Sequence, residues 1–132
     1  MAVQALKDLR ALAWRVVRDS KKLGEAPEGC ESLVEAVRLL RASFPSKRDS
    51  WFYRAVLRCL VGVRRAGASH WLVPGLPELG DAYPRYNVWV REGRYACDCF
   101  FRAWGRRRRK EICTHIAAVM LHRRQRKIGE YG

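Results

Sequence analysis

Apolar residues recur at helical spacing through the first half of the chain. Val3, Leu6, Leu9, Ala13, Val16 and Val17 fall on one stripe, with Leu12 and Trp14 off it and free to meet a second neighbour. Gly24 and Pro27 end that run. Cys30, Leu33, Val34, Val37, Leu40 and Phe44 repeat the pattern as far as Pro45. Trp51, Phe52, Ala55, Val56, Cys59, Leu60 and Val63 make a third stripe. Ser46 to Asp49 reads as a capping box before it, and Gly67 as its stop. Three amphipathic helices with short connections predict a small bundle over residues 1–67.

Residues 68–82 change character. Trp71, Leu72 and Val73 suit a short strand, and Pro74, Gly75 and Pro77 interrupt the chain after it. The segment reads as a connection packed on the part after it. From residue 83 the period shortens to two: Tyr86, Val88 and Val90 alternate with Asn87, Trp89 and Arg91. Glu92 and Gly93 form a turn, and Arg94 to Cys97 return. Ile116, Ala117, Val119, Met120 and Leu121 restore a helical stripe. The expected class is α+β, a three-helix bundle (1–67), a connecting segment (68–82) and a ββα module (83–132).

That module carries the chemistry. Cys97 and Cys99, then Cys113 and His115, offer three thiolates and an imidazole, a tetrahedral set that suits one structural Zn2+. Alternate strand residues share a face, so Cys97 and Cys99 can meet one ion while Asp98 turns away. Residues i and i+2 of a helix diverge, so the last helix is expected to start near Thr114. Cys113 then sits just before it, where the helix N-terminus favours a thiolate, and His115 lies in its first turn. His70 is expected to be structural, and His122 lies two turns beyond His115, too far to share its ion.

This C-x-C…C-x-H arrangement resembles the SWIM-type zinc finger. The hairpin residues Val88, Val90, Gly93 and Tyr95 and the apolar Ile116 to Val119 agree with it. The resemblance spans residues 83–128 and implies a β-hairpin followed by a helix, with DNA binding or protein–protein contacts as the associated roles. Residues 1–82 resemble no family in particular.

Charge narrows the function. The chain of 132 residues carries 27 Lys and Arg against 13 Asp and Glu, a formal charge of +14. Such an excess implies a polyanionic partner, DNA or RNA above all. Arg contributes 21 of the cations, a bias that genome composition or thermal adaptation also produces. Arg106, Arg107, Arg108, Arg109 and Lys110 form a basic run between the two ligand pairs, with Arg102 before it. Arg123, Arg124, Arg126 and Lys127 come later, on the last helix, where they extend the basic surface or simply suit the helix dipole. Lys47, Arg54, Arg58 and Arg65 suggest a further basic face on helix three, or a solvated one.

The five Cys form no paired framework, and Cys30 and Cys59 are expected to be reduced and buried. No apolar run is long enough for a membrane span, and no signal-peptide core is present. An intracellular, cytoplasmic protein is expected, nucleoid- or ribosome-associated as a sub-case. The expected function is zinc-stabilised nucleic-acid binding through phosphate contacts. The alternative is an adaptor whose helical bundle binds a protein, for example in a recombination or repair complex. Four ligands leave a metal no open position, so an enzyme is not expected.

Overall fold

The computed structural model describes residues 3–22, 26–99 and 112–131. Its class is α+β. Helices α1 (Val3–Asp19), α2 (Glu31–Ser43) and α3 (Asp49–Gly62) precede strands β1 (Arg64–Gly67), β2 (His70–Pro74), β3 (Arg85–Arg91) and β4 (Arg94–Cys97), and helix α4 (Thr114–Tyr131) comes last. The strands form one antiparallel sheet in the order β1-β2-β3-β4. No helix among the described residues is long and apolar enough to cross a membrane.

The helical stripes bury as their spacing dictates. Ala13, Val16 and Val17 of α1 meet Leu33, Val34, Val37 and Leu40 of α2 and Phe52, Ala55 and Val56 of α3. Trp14, off the stripe, is 46% exposed and lies flat on Tyr53, ring centroids 4.2 Å apart. The expected capping box does not form: Arg48 is the cap residue and makes no side-chain cap bond. Asp49 instead takes Lys21 and Arg41, cations from two other parts of the chain. α3 stops at Gly62, whose φ of +136° only glycine adopts readily, and not at Gly67, which lies in β1.

The sheet is larger than the hairpin expected from the sequence. β3 and β4 join at Glu92 and Gly93, both with positive φ (51° and 76°), the twist a tight hairpin needs. β2 pairs with β3 over His70 to Pro74, and β1 pairs with β2. The segment read as a connection thus supplies a central strand, burying Trp71 and Val73 on the face that carries Tyr86 and Val88.

α4 serves two cores. Ala117 and Leu121 belong to the helical core, while Ile116, Ala118 and Val119 pack on the sheet. A helix apolar on all sides over Ile116 to Val119 has to be enclosed, and each of those four residues is fully buried.

Candidate metal centre

Three segments converge at one end of the sheet. β4 delivers Cys97 at its last residue, and Cys99 lies beyond it, after a turn at Asp98. Strand alternation therefore accounts for Cys97 alone, and the turn brings Cys99 round. Asp98, between them, turns away and ties the turn to β3. Its carboxylate accepts from the Asn87 N–H (3.1 Å) and side-chain amide (2.8 Å), and its own N–H donates to the Asn87 carbonyl (3.1 Å). Cys113 precedes α4, its carbonyl taking the Ala117 N–H, and His115 stands in the first turn as expected.

The donor atoms of Cys97, Cys99, Cys113 and His115 all lie within 4.8 Å of one another. Cys97, Cys99 and His115 are buried, and Cys113 is partly exposed. His115 turns Nδ1 toward the Cys113 sulfur, at 3.7 Å. Such a cluster can hold one metal ion.

The other edge of His115 shows how the site is aimed. Its Nε2 meets Asp81 Oδ1 at 3.1 Å, and the Tyr86 ring stacks on the imidazole, centroids 4.0 Å apart. Asp81 also receives both terminal nitrogens of Arg58, from α3, and the Leu76 N–H at 2.7 Å. Arg58 Nε donates to Thr114 Oγ1 at 3.1 Å, at the start of α4. The Arg58 and Asp81 side chains are only 2% and 6% exposed. A ligating histidine commonly gives its second N–H to a carboxylate, which fixes the tautomer and leaves the other nitrogen basic.

The loop that carries Asp81 is pinned at its neck. Gly75 N–H donates to Pro84 O at 2.8 Å. A Cβ on Gly75 would stand 1.8 Å from Tyr83 O, so only glycine permits that approach. Tyr86 OH accepts from the Ala82 N–H inside the same loop, at 3.1 Å.

Burial and contact together set the electrostatics. Burial alone pushes the Asp81 carboxyl up, but His115, Arg58 and the Leu76 N–H outweigh it and hold the group well below the usual carboxylate range. Burial pushes His115 down, and Asp81 and Cys113 more than reverse it, so its pKa is raised. The Cys97 thiol is pushed far up by Cys113 and Cys99 and by burial. Cys113 is raised by burial, yet contacts with Cys97, Cys99 and His115 carry it well below the ordinary thiol value. Thiols this close compete for charge, and a cation among them removes the conflict.

Of the expected basic residues, Arg102, Arg106, Arg107, Arg108, Arg109 and Lys110 lie outside the described residues. Arg123, Arg124, Arg126 and Lys127 share a stretch of α4 beside the sheet. The stripe expected on helix three does not form. Arg58 is withdrawn into the Asp81 pair, Arg65 belongs to β1, and Lys47 lies over Trp51. His70 bonds Asn87 and stacks on Trp89, and neither it nor His122 joins the cluster.

Sequence reasoning missed Asp81, Arg58 and Tyr86. One signal was available, since Arg58 is the only charged residue between Ala55 and Val63. A lone guanidinium in such a run needs a buried acid.

Comparison with known proteins gives no match to a family model, a curated protein or a solved structure.

Proposed function

We propose that this chain is a zinc-stabilised nucleic-acid-binding protein that grips phosphate backbones through its basic surface. The ion is zinc, held by Cys97, Cys99, Cys113 and His115, and its task is structural. Three thiolates and one imidazole suit zinc, and four protein ligands close the tetrahedron. Sulfur at ~2.3 Å and nitrogen at ~2.1 Å from a tetrahedral zinc lie roughly 3.6 Å apart. The Cys113 sulfur and His115 Nδ1 are 3.7 Å apart, which supports that ion. The same donor set, around the end of β4 and the start of α4, supports the resemblance of residues 83–128 to a SWIM-type finger. No open coordination position is left for catalysis, so the protein is read as a binder and not an enzyme.

One observation carries the nucleic-acid reading. The cations outnumber the acids by 27 to 13, and five of the acids are already committed to cations of this chain. Asp19, Glu35, Asp49, Glu78 and Asp81 already face cations inside the fold. The surplus on α4 is left for an outside anion. The adaptor reading draws less support, because α4 fills the groove that a three-helix bundle would leave, with Ala117 and Leu121 in its core.

The test is fluorescence anisotropy of the zinc-loaded protein with labelled single strands and duplexes of DNA and RNA, across a salt series. Binding should weaken steeply with salt and vary little with sequence, as phosphate contacts dictate. Absence of binding to every nucleic acid at low salt would refute the reading.

A further inference from the structure

Beside the sheet, the second half of α4 borders an open cleft of about 630 Å3. Arg123, Arg124, Arg126 and Lys127 line it from α4, and Arg65 faces them from β1. No carboxylate lines it among the described residues, and none of these five cations has an ion pair among them.

The helix dipole does not account for this cluster. Its influence fades within the last turn. α4 continues to Tyr131, and its last turn holds no basic residue. The cations also repel along the helix. Arg123 stands three and four residues from Arg126 and Lys127, and Arg124 three from Lys127, spacings at which like charges destabilise. His122 lines the same cleft, and burial together with Arg126 pushes its ionisation down, which keeps the imidazole neutral there.

Two of the guanidinium groups are already fixed in place. Arg123 donates to Tyr95 OH at 2.8 Å and lies over the Trp71 ring, 5.1 Å from its centroid. Arg65 donates to the carbonyls of Gly67 (3.0 Å) and Ala68 (3.1 Å). A third, Arg124, has its Nη1 out of solvent with no hydrogen-bond partner. A guanidinium nitrogen left unsatisfied is costly, so this side chain gains by turning outward onto an oxyanion in the cleft.

We infer that this cleft seats consecutive phosphates of a polynucleotide backbone. The inference rests on the nucleic-acid reading above and gives it an address on α4 and β1. Fixed planar guanidinium forks match phosphate oxygens two at a time. Five cations in one cleft suit several phosphates along a strand better than a single anion. Base stacking on Trp71 is not the means of recognition here, because that ring is only 5% exposed.

The test replaces Arg124, Arg126 and Lys127 with Gln in the zinc-loaded full chain. Arg65 and Arg123 stay, because they pack against the fold. Zinc content and melting temperature should not change. Affinity for labelled duplex should fall, and the slope of log K against log salt should flatten by roughly 3, at about 0.9 per lost phosphate contact. Wild-type slope and affinity in this variant would overturn the inference while leaving nucleic-acid binding in place, with the seat elsewhere. Failure of the unaltered protein to bind any strand would overturn both readings. Orthophosphate, pyrophosphate and phosphatidylserine vesicles serve as competitors. Displacement of the labelled strand by any of them at equal phosphate concentration would show a small-anion or lipid site and contradict a strand-length seat.

Discussion

At the scale of the residue, Asp81 joins α3, the loop after β2 and the Cys/His cluster. Its carboxylate faces His115 Nε2 on one side and Arg58 on the other. Asp81→Asn keeps the shape and removes the charge. Zinc affinity is expected to fall about 10- to 100-fold, the usual result of losing a carboxylate behind a ligating histidine. Competition with a chromophoric chelator measures it, and an unchanged affinity would mean that Asp81 only packs. Arg58→Ala leaves a buried carboxylate without its bidentate cation and is expected to cost about 3–5 kcal/mol, read from the urea midpoint. The two cysteines outside the cluster should separate in reactivity. Cys59 is buried and its thiol is pushed up to about 12 by burial, whereas Cys30 is only partly buried, less than its place on the α2 stripe suggested. A charged maleimide is expected to label Cys30 in the native protein well before Cys59, and equal rates would contradict that burial.

At the scale of the element, α4 shows what periodicity reveals and what it conceals. The stripes of α1, α2 and α3 were legible because each helix buries one face against its neighbours. The start of α4 was legible from chemistry, since Cys113 and His115 cannot share an ion from within one helix. That α4 belongs to two cores was not legible, because a one-face stripe was assumed where every side of Ile116 to Val119 is enclosed. β1 was missed for a different reason. Its four residues are all exposed and carry no alternation, so pairing with β2 defines it. Asp81 lies 34 residues from His115, and no local pattern announces a contact that distant. Leu121 is fully buried in the helical core, although it lies on the helix that begins at the metal cluster. Leu121→Ala is expected to destabilise the protein by about 2–5 kcal/mol. Denaturation followed by far-ultraviolet circular dichroism would register it, and a loss near zero would mean that α4 does not seal that core.

At the scale of the whole molecule, the Cys/His cluster and the helical core are mechanically joined. Separate modules would let the helices survive loss of the metal. Here Ala117 and Leu121 stand in the helical core, and Arg58 reaches from that core to Asp81 and Thr114. Removing zinc should therefore loosen both cores in one transition, since metal binding energy becomes folding energy for everything coupled to it. The measurement that bears most directly on this arrangement is zinc-edge X-ray absorption of the purified full chain, calibrated by elemental analysis. One zinc per chain is expected, with three sulfur neighbours at ~2.3 Å and one nitrogen at ~2.1 Å. A chain that folds with no stoichiometric metal, or a zinc shell of oxygen and nitrogen alone, would contradict it.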